Sequence, residues 1–157
     1  LLDPTLEEMC SLTELFLFNA ARAQVVEEFI LPSLRSGKIV VSDRFADSTR
    51  IYQGYAGAVN LDNIDKIINV ACQGIDPDIT YVCDIPVDKA FSRLRRERDR
   101  IEQKDYRYHE VVRQGYLDLA KLYPSRIRVI DATFSIMGVH QTIMNDFISR
   151  NTKQQNP

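Results

Sequence analysis

The stretch Ser42-Asp43-Arg44-Phe45-Ala46-Asp47-Ser48-Thr49-Arg50-Ile51-Tyr52-Gln53-Gly54 concentrates carboxylate, guanidinium, hydroxyl, carboxamide and phenol groups on a few residues. It follows the apolar run Ile39-Val40-Val41 directly. An apolar run that ends in charge reads as a buried parallel strand presenting a ligand loop at its carboxyl end, where open α/β sheets bind their ligands. There Arg44 can grip phosphate through two parallel N–H donors. Asp43 can organise a phosphate-bound magnesium ion or its water. The same pair also fits a strand-end ion pair with a loop cap.

Three further clusters carry chemistry. Phe18 and Arg22 stand one helical turn apart and share a face with Leu15, Val25 and Phe29. A ring beside a fork of donors can stack on a planar base and bond its carbonyls; core packing with a salt bridge is the alternative. The run Arg93-Leu94-Arg95-Arg96-Glu97-Arg98-Asp99-Arg100 places Arg93, Arg96 and Arg100 on one face if it is helical. It reads as a solvated charged face, or as the planar cationic groups that phosphoryl transfer needs. Tyr106, Tyr108, His109 and Tyr116 fall at helical spacing and read as core, and no nucleophile pairs with His109 in sequence.

The elements that must position these groups alternate. Ile39–Ser42, Ile79–Cys83 and Ile127–Ile130 are short β-branched segments, each followed by an aspartate (Asp43, Asp84, Asp131). Helical patterns lie between them, which is the alternation of a parallel α/β sheet. A first helix is expected from Ser11, where Ser11-Leu12-Thr13-Glu14 fits a capping box, to about Leu31 or the turn ending at Gly37. Its near-continuous apolar character implies burial all round. Further helices are expected at about Leu61–Gln73, from Val87 into the arginine run, at about Asp105–Leu122 and at about Ile136–Ser149, with a frayed tail over Asn151–Pro157.

At 157 residues, 45% hydrophobic and 27% charged with net charge -2, the chain is expected to form a single domain over residues 1–157. No overall positive charge argues for nucleic acid. No apolar run approaches the length of a membrane span. Cys10, Cys72 and Cys83 are odd in number and sit in apolar contexts, as expected of buried reduced thiols in a cytoplasmic protein.

Taken together, the segments resemble the bacterial thymidylate kinase family. The matching text is Leu17-Phe18-Asn19-Ala20-Ala21-Arg22, Asp43-Arg44-Phe45 with Ser48-Thr49 and Tyr52-Gln53-Gly54, Asp76-Pro77-Asp78, Asp99-Arg100-Ile101-Glu102, Tyr108 to Ala120, and Ile130-Asp131-Ala132. The resemblance implies a P-loop-kinase-like three-layer α/β/α fold with a parallel sheet. It implies transfer of the γ-phosphate of ATP, with Mg2+, to dTMP to give dTDP, in a homodimer. Residue by residue it implies that Phe18 stacks on thymine and Arg22 bonds its O4. Thr49 and Gln53 would lie near the pyrimidine edge, Ser48 would support the loop, and Tyr52 would sit under the deoxyribose. Arg44 would bridge the phosphates and Asp43 would act indirectly on the metal. A mobile lid over residues 93–104 would bring Arg93, Arg95, Arg96, Arg98 and Arg100 to the ATP phosphates, with Arg95 the catalytic arginine. The loop after Asp131 would approach adenine.

The 157 residues contain no glycine-rich loop ending in Gly-Lys-Ser or Gly-Lys-Thr. They open at Leu1-Leu2-Asp3-Pro4 without an initiator methionine. We therefore expect a longer kinase whose preceding portion holds the phosphate loop and the first, central strand. The isolated stretch is expected to be inactive and poorly folded. A deoxynucleoside kinase and a non-catalytic nucleotide-binding fragment remain as alternatives.

Overall fold

The computed structural model describes residues 1–153 except 4, 7 and 8. The chain divides into two compact units, residues 1–76 with 97–115, and residues 77–96 with 116–157.

In the first unit one long helical run opens the fold: α1 (Ser11–Val25), a π-helical turn (Val26–Ile30) and α2 (Leu31–Arg35). Pro32 cannot donate to residue 28 and its ring crowds that carbonyl; the wider turn just before it lets the helix pass the proline. The run stops at Gly37, whose φ of 75° suits glycine. Two expectations change here. The N-cap is Cys10, with no side-chain cap, so Ser11 and Glu14 form no capping box. Nor is α1 buried all round, because only one face turns inward, carrying Glu14, Leu15 and Asn19, while Leu12, Phe16, Leu17 and Val25 are exposed.

Ile39–Ser42 forms no strand. A strand exists only as half of a ladder, and among the described residues nothing pairs with this segment; Ile39 and Val41 stand 73% and 90% exposed. The segment after it, expected as a loop, is helical: α3 (Ala46–Thr49) runs into a second π-helical turn (Arg50–Tyr55). Ala46, Thr49, Ile51, Gln53 and Gly54 are buried there. At Gly54 a Cβ would lie 2.5 Å from a Leu61 methyl group, so the missing side chain permits the close approach to α4 (Leu61–Cys72). Asn60 caps α4 by accepting from the N–H groups of Asp62 and Asn63, and the left-handed Gln73 ends it. The apolar stripe Ile64, Ile68 and Cys72 then packs on Leu15 and Ala46, forming the core that joins α1, α3 and α4.

In the second unit β1 (Thr80–Asp84) and β2 (Ile127–Asp131) pair in parallel, with Thr80 opposite Ile127 and Asp84 opposite Asp131. Between the strands lies α5 (Val87–Arg93). It does not continue into the arginine run: Leu94 is already extended. A helix there would stack Arg93, Arg96 and Arg100 as like charges on one face. Instead, from residue 97, where the chain belongs again to the first unit, Asp99 accepts from the N–H groups of Ile101 and Glu102, and Glu102 accepts from the N–H of Asp99. The helix α6 (Tyr106–Leu122) follows, its residues 106–115 in the first unit and 116–122 in the second, with Asp105 accepting from the N–H of Tyr108. The last helix, α7 (Ile136–Lys153), packs on β2 and extends past the expected Ser149; the rest of the expected frayed tail, residues 154–157, lies outside the described residues. Tyr81 donates to Asp146 at 2.8 Å, and Arg150 donates to the same carboxylate at 2.9 Å, fixing α7 to β1.

Two outcomes follow for stability. Ile64 is fully buried, so Ile64→Ala should lower the unfolding free energy by about 2–5 kcal/mol in chemical denaturation. Val70→Ala on the exposed face of the same helix should stay within about 0.5 kcal/mol of wild type. Burial alone would raise the Asp146 pKa, but the Tyr81 hydroxyl and Arg150 outweigh it and hold it below the usual 3.8. The stability this carboxylate contributes is therefore present above that value and lost as pH falls through the folded one. The Tm gap between wild type and Asp146→Asn should be widest near neutral pH and close below pH 3.8. Burial, then the bond to Asp146, pushes Tyr81 up to about 12, so the phenol stays a donor across that range.

Candidate functional site

In the first unit Arg22 joins the Phe18–Arg22 face of α1 to the segment that follows Arg44. The face of α1 that carries Leu15 and Asn19 inward also turns Arg22 toward α3. Its guanidinium donates to Asn19 Oδ1 at 2.6 Å, to the Phe45 carbonyl at 3.2 Å and to Thr49 Oγ1 at 2.8 Å. It also lies 5.4 Å from the centre of the Phe45 ring. Asn19 is held in turn by its own bond to the Leu15 carbonyl at 2.7 Å. Burial lowers the Arg22 pKa from an ordinary value of 12.5, which leaves the group charged at neutral pH. Phe18 sits half-buried one turn earlier on α1. An aromatic face and a braced fork of donors thus lie next to each other, as recognition of a planar base with carbonyl acceptors requires.

Asp43 and Arg44 lie exposed where the chain enters α3. Arg44 has a φ of 67°, a left-handed conformation that costs a non-glycine residue on the order of 1 kcal/mol and is concentrated at functional sites. Two contacts hold it there: Ser42 Oγ donates to the Arg44 carbonyl at 2.7 Å, and the guanidinium lies 5.0 Å from the centre of the Tyr52 ring. The Tyr52 ring is 6.5 Å from that of Tyr108 on α6, and Lys104 lies 4.3 Å from the Tyr108 ring centre. The site therefore has a cationic, aromatic end at Arg44, Tyr52, Tyr108 and Lys104, and a second end at Phe18 and Arg22. Ser48 is half-buried within α3.

Thr49 and Gln53 are each only 2% exposed. Thr49 is engaged by Arg22, and Gln53 Nε2 donates to Glu14 Oε2 at 2.9 Å. They stand behind Arg22 and α1, as braces. Arg100 is also buried, at 6% exposure, and its guanidinium donates to Glu14 Oε1 at 2.6 Å and to the Leu1 carbonyl at 3.0 Å. The other expected lid arginines differ from it: Arg93, Arg95, Arg96 and Arg98 are exposed. Within the second unit Arg93 donates to the carbonyls of Ala132 and Thr133, at 2.7 and 3.0 Å, in the loop after β2. In that loop Asp131 accepts from the Thr133 N–H at 2.8 Å, and bonding to Thr133 lowers its pKa.

Sequence reasoning gave no site role to three residues that bond or pack here: Glu14, read as part of a capping box, Asn19, and Tyr108, read as core. Glu14 had a signal. It stands four residues before Phe18 and eight before Arg22, a carboxylate on the stripe that carries both. Asn19 bonds Leu15 and Arg22 within one turn of its own helix, whereas Tyr108 meets Tyr52 from far away in sequence and leaves no local pattern.

The family model for thymidylate kinase matches residues 1–143. A thymidylate kinase of Kosmotoga olearia is 43% identical over 138 residues, covering 87% of this chain and 66% of the relative. One of Lactobacillus acidophilus is 38% identical over 154 residues, covering 96% of this chain and 71% of the relative. The crystal structure of thymidylate kinase from Ehrlichia chaffeensis superposes with a TM-score of 0.67 at 32% identity, over 89% of this chain and 66% of that one. The chain thus spans about two thirds of the length of the relatives it matches. The sequence match extends from Leu1 through the arginine run and the loop after β2, and the fold agrees, so the chain belongs to the thymidylate kinase family.

Proposed function

We propose that the protein carrying these residues transfers the γ-phosphate of ATP to dTMP, giving dTDP, and that these residues supply the acceptor side of the reaction. The observation that supports this most strongly is Arg22, braced by Thr49 and the Phe45 carbonyl beside Phe18. A fixed fork next to a ring suits the O4 and the face of thymine. Arg44, held at positive φ over Tyr52, suits the acceptor phosphate, where charge develops during transfer. Tyr52 and Tyr108 then flank the sugar. Arg95, exposed at the start of the arginine run, acts on the transferred phosphoryl group, with Arg96 and Arg98 beside it.

Magnesium, when bound, neutralises phosphate charge. It is held largely by substrate phosphates and water, with one or two carboxylates. An exposed carboxylate next to a phosphate-binding arginine fits that role, and Asp43 is such a group. Among the described residues no cluster of three ligating side chains exists, and a metal carried by phosphates needs none. The ATP phosphates need a backbone N–H cradle and a lysine, so turnover belongs to the protein in which these residues stand with a phosphate-loop segment. The exposed apolar face of α1, with Leu12, Phe16 and Leu17, supports a homodimer formed through this helix. ATP and dTMP as substrates support a cytoplasmic location.

Two measurements check this reading. Given ATP and Mg2+, the enzyme should form ADP in the presence of dTMP and not of thymidine; turnover of thymidine alone would make it a nucleoside kinase. Arg44→Gly separates strain from chemistry. Glycine adopts φ of 67° freely, so Tm should not fall. The loss of the guanidinium should lower kcat/KM for dTMP by about 100-fold or more. Activity kept within a few-fold of wild type would remove Arg44 from the reaction.

A further inference from the structure

The buried Glu14 carboxylate has no role in the transfer described above, yet it lies where three segments meet. It is 2% exposed and its two oxygens are divided: Oε1 accepts from Arg100 at 2.6 Å and Oε2 accepts from Gln53 at 2.9 Å. Arg100 binds further, through its Nε to the Leu1 carbonyl and through its backbone N–H to the Leu2 carbonyl. A carboxylate can only accept, so Gln53 must turn its NH2 group toward Glu14, which fixes the orientation of the carboxamide. On α1, Glu14 stands two turns before Arg22; on the acceptor segment, Gln53 stands one turn after Thr49. The bonds Glu14–Gln53 and Arg22–Thr49 are therefore two parallel ties between the same two elements. The first tie depends on Arg100 to neutralise its carboxylate.

We infer that Arg100 is a positioning residue for acceptor recognition, acting through Glu14 and Gln53, and not a contact to the ATP phosphates. Resting on the dTMP kinase reading, this makes the end of the arginine run part of the acceptor frame. Residues that move over ATP must then lie before Asp99. Losing the Arg100 fork frees Glu14 from one side, loosens Gln53, and lets the helical turn bearing Tyr52 shift against the helix bearing Phe18 and Arg22. The reacting phosphates are untouched.

Steady-state kinetics of Arg100→Lys in the phosphate-loop-bearing enzyme tests this. Lysine keeps the charge inside the site but cannot reach Glu14 and the Leu1 carbonyl together. The expected result is a rise in KM for dTMP on the order of 10-fold, with KM for ATP and kcat unchanged. Gln53→Met removes the other end of the link without disturbing the ion pair and should show the same split. It also serves if Arg100→Lys folds poorly. A rise in KM for ATP or a fall in kcat, with KM for dTMP constant, would return Arg100 to the ATP side and overturn the inference. A lower Tm with all three kinetic constants unchanged would make the network purely structural and overturn it equally. Failure of the wild-type enzyme to use dTMP at all is seen before any variant is compared, and sinks the kinase reading instead.

Discussion

A carboxylate almost without solvent must be satisfied inside the protein, and at Glu14 that requirement decides how the first unit is assembled. Arg100 and Gln53 meet it from two other segments. Each side chain of the ion pair is 5% exposed or less, so neither can turn to water. Removing one partner of such a pair costs about 3–5 kcal/mol, because the remaining charge stays buried. The apolar core of Leu15, Ala46, Ile64, Ile68 and Cys72 brings α1, α3 and α4 together without fixing their register. The polar ties fix it. Arg22 meets Thr49 and the Phe45 carbonyl where α1 stands against α3.

The same logic explains what could be read from the sequence. The helices α4, α6 and α7 and the strands β1 and β2 announce themselves by period and by local signals, such as Asn60 and Asp105 at helix starts and Gly74 after α4. Where long-range partners decide, local reading fails. Ser11-Leu12-Thr13-Glu14 has the pattern of a capping box, but a buried arginine far along the chain takes the glutamate. Ile39–Ser42 has the composition of a strand, but composition cannot supply the neighbour that makes one. Charge repulsion and the Asp99–Glu102 turn break the arginine run, whereas periodicity alone would continue α5 through it.

The candidate site was legible in part for a related reason. Arg22, Arg44 and Tyr52 carry unusual chemistry in their neighbourhoods, and the structure places Arg44 against Tyr52 and Arg22 against the segment that follows. Thr49 and Gln53 have the right chemistry to touch a base, and in this structure both are buried and bonded to Arg22 and Glu14. Arg100 is buried as they are and bonded to Glu14, and a run of arginines cannot reveal which member turns inward. The first unit thus holds two kinds of polar group: Arg44 is exposed and at positive φ, whereas Glu14, Gln53, Thr49 and Arg100 are buried and bonded to one another or to Arg22.

The most direct test is a crystal structure of the phosphate-loop-bearing protein with dTMP. Thymine should stack on Phe18 with its O4 about 3 Å from an Arg22 nitrogen, while Thr49 and Gln53 keep their bonds to Arg22 and Glu14 behind it. A base bound away from Phe18, or one that displaces Gln53 from Glu14 to bond the carboxamide itself, would contradict the account.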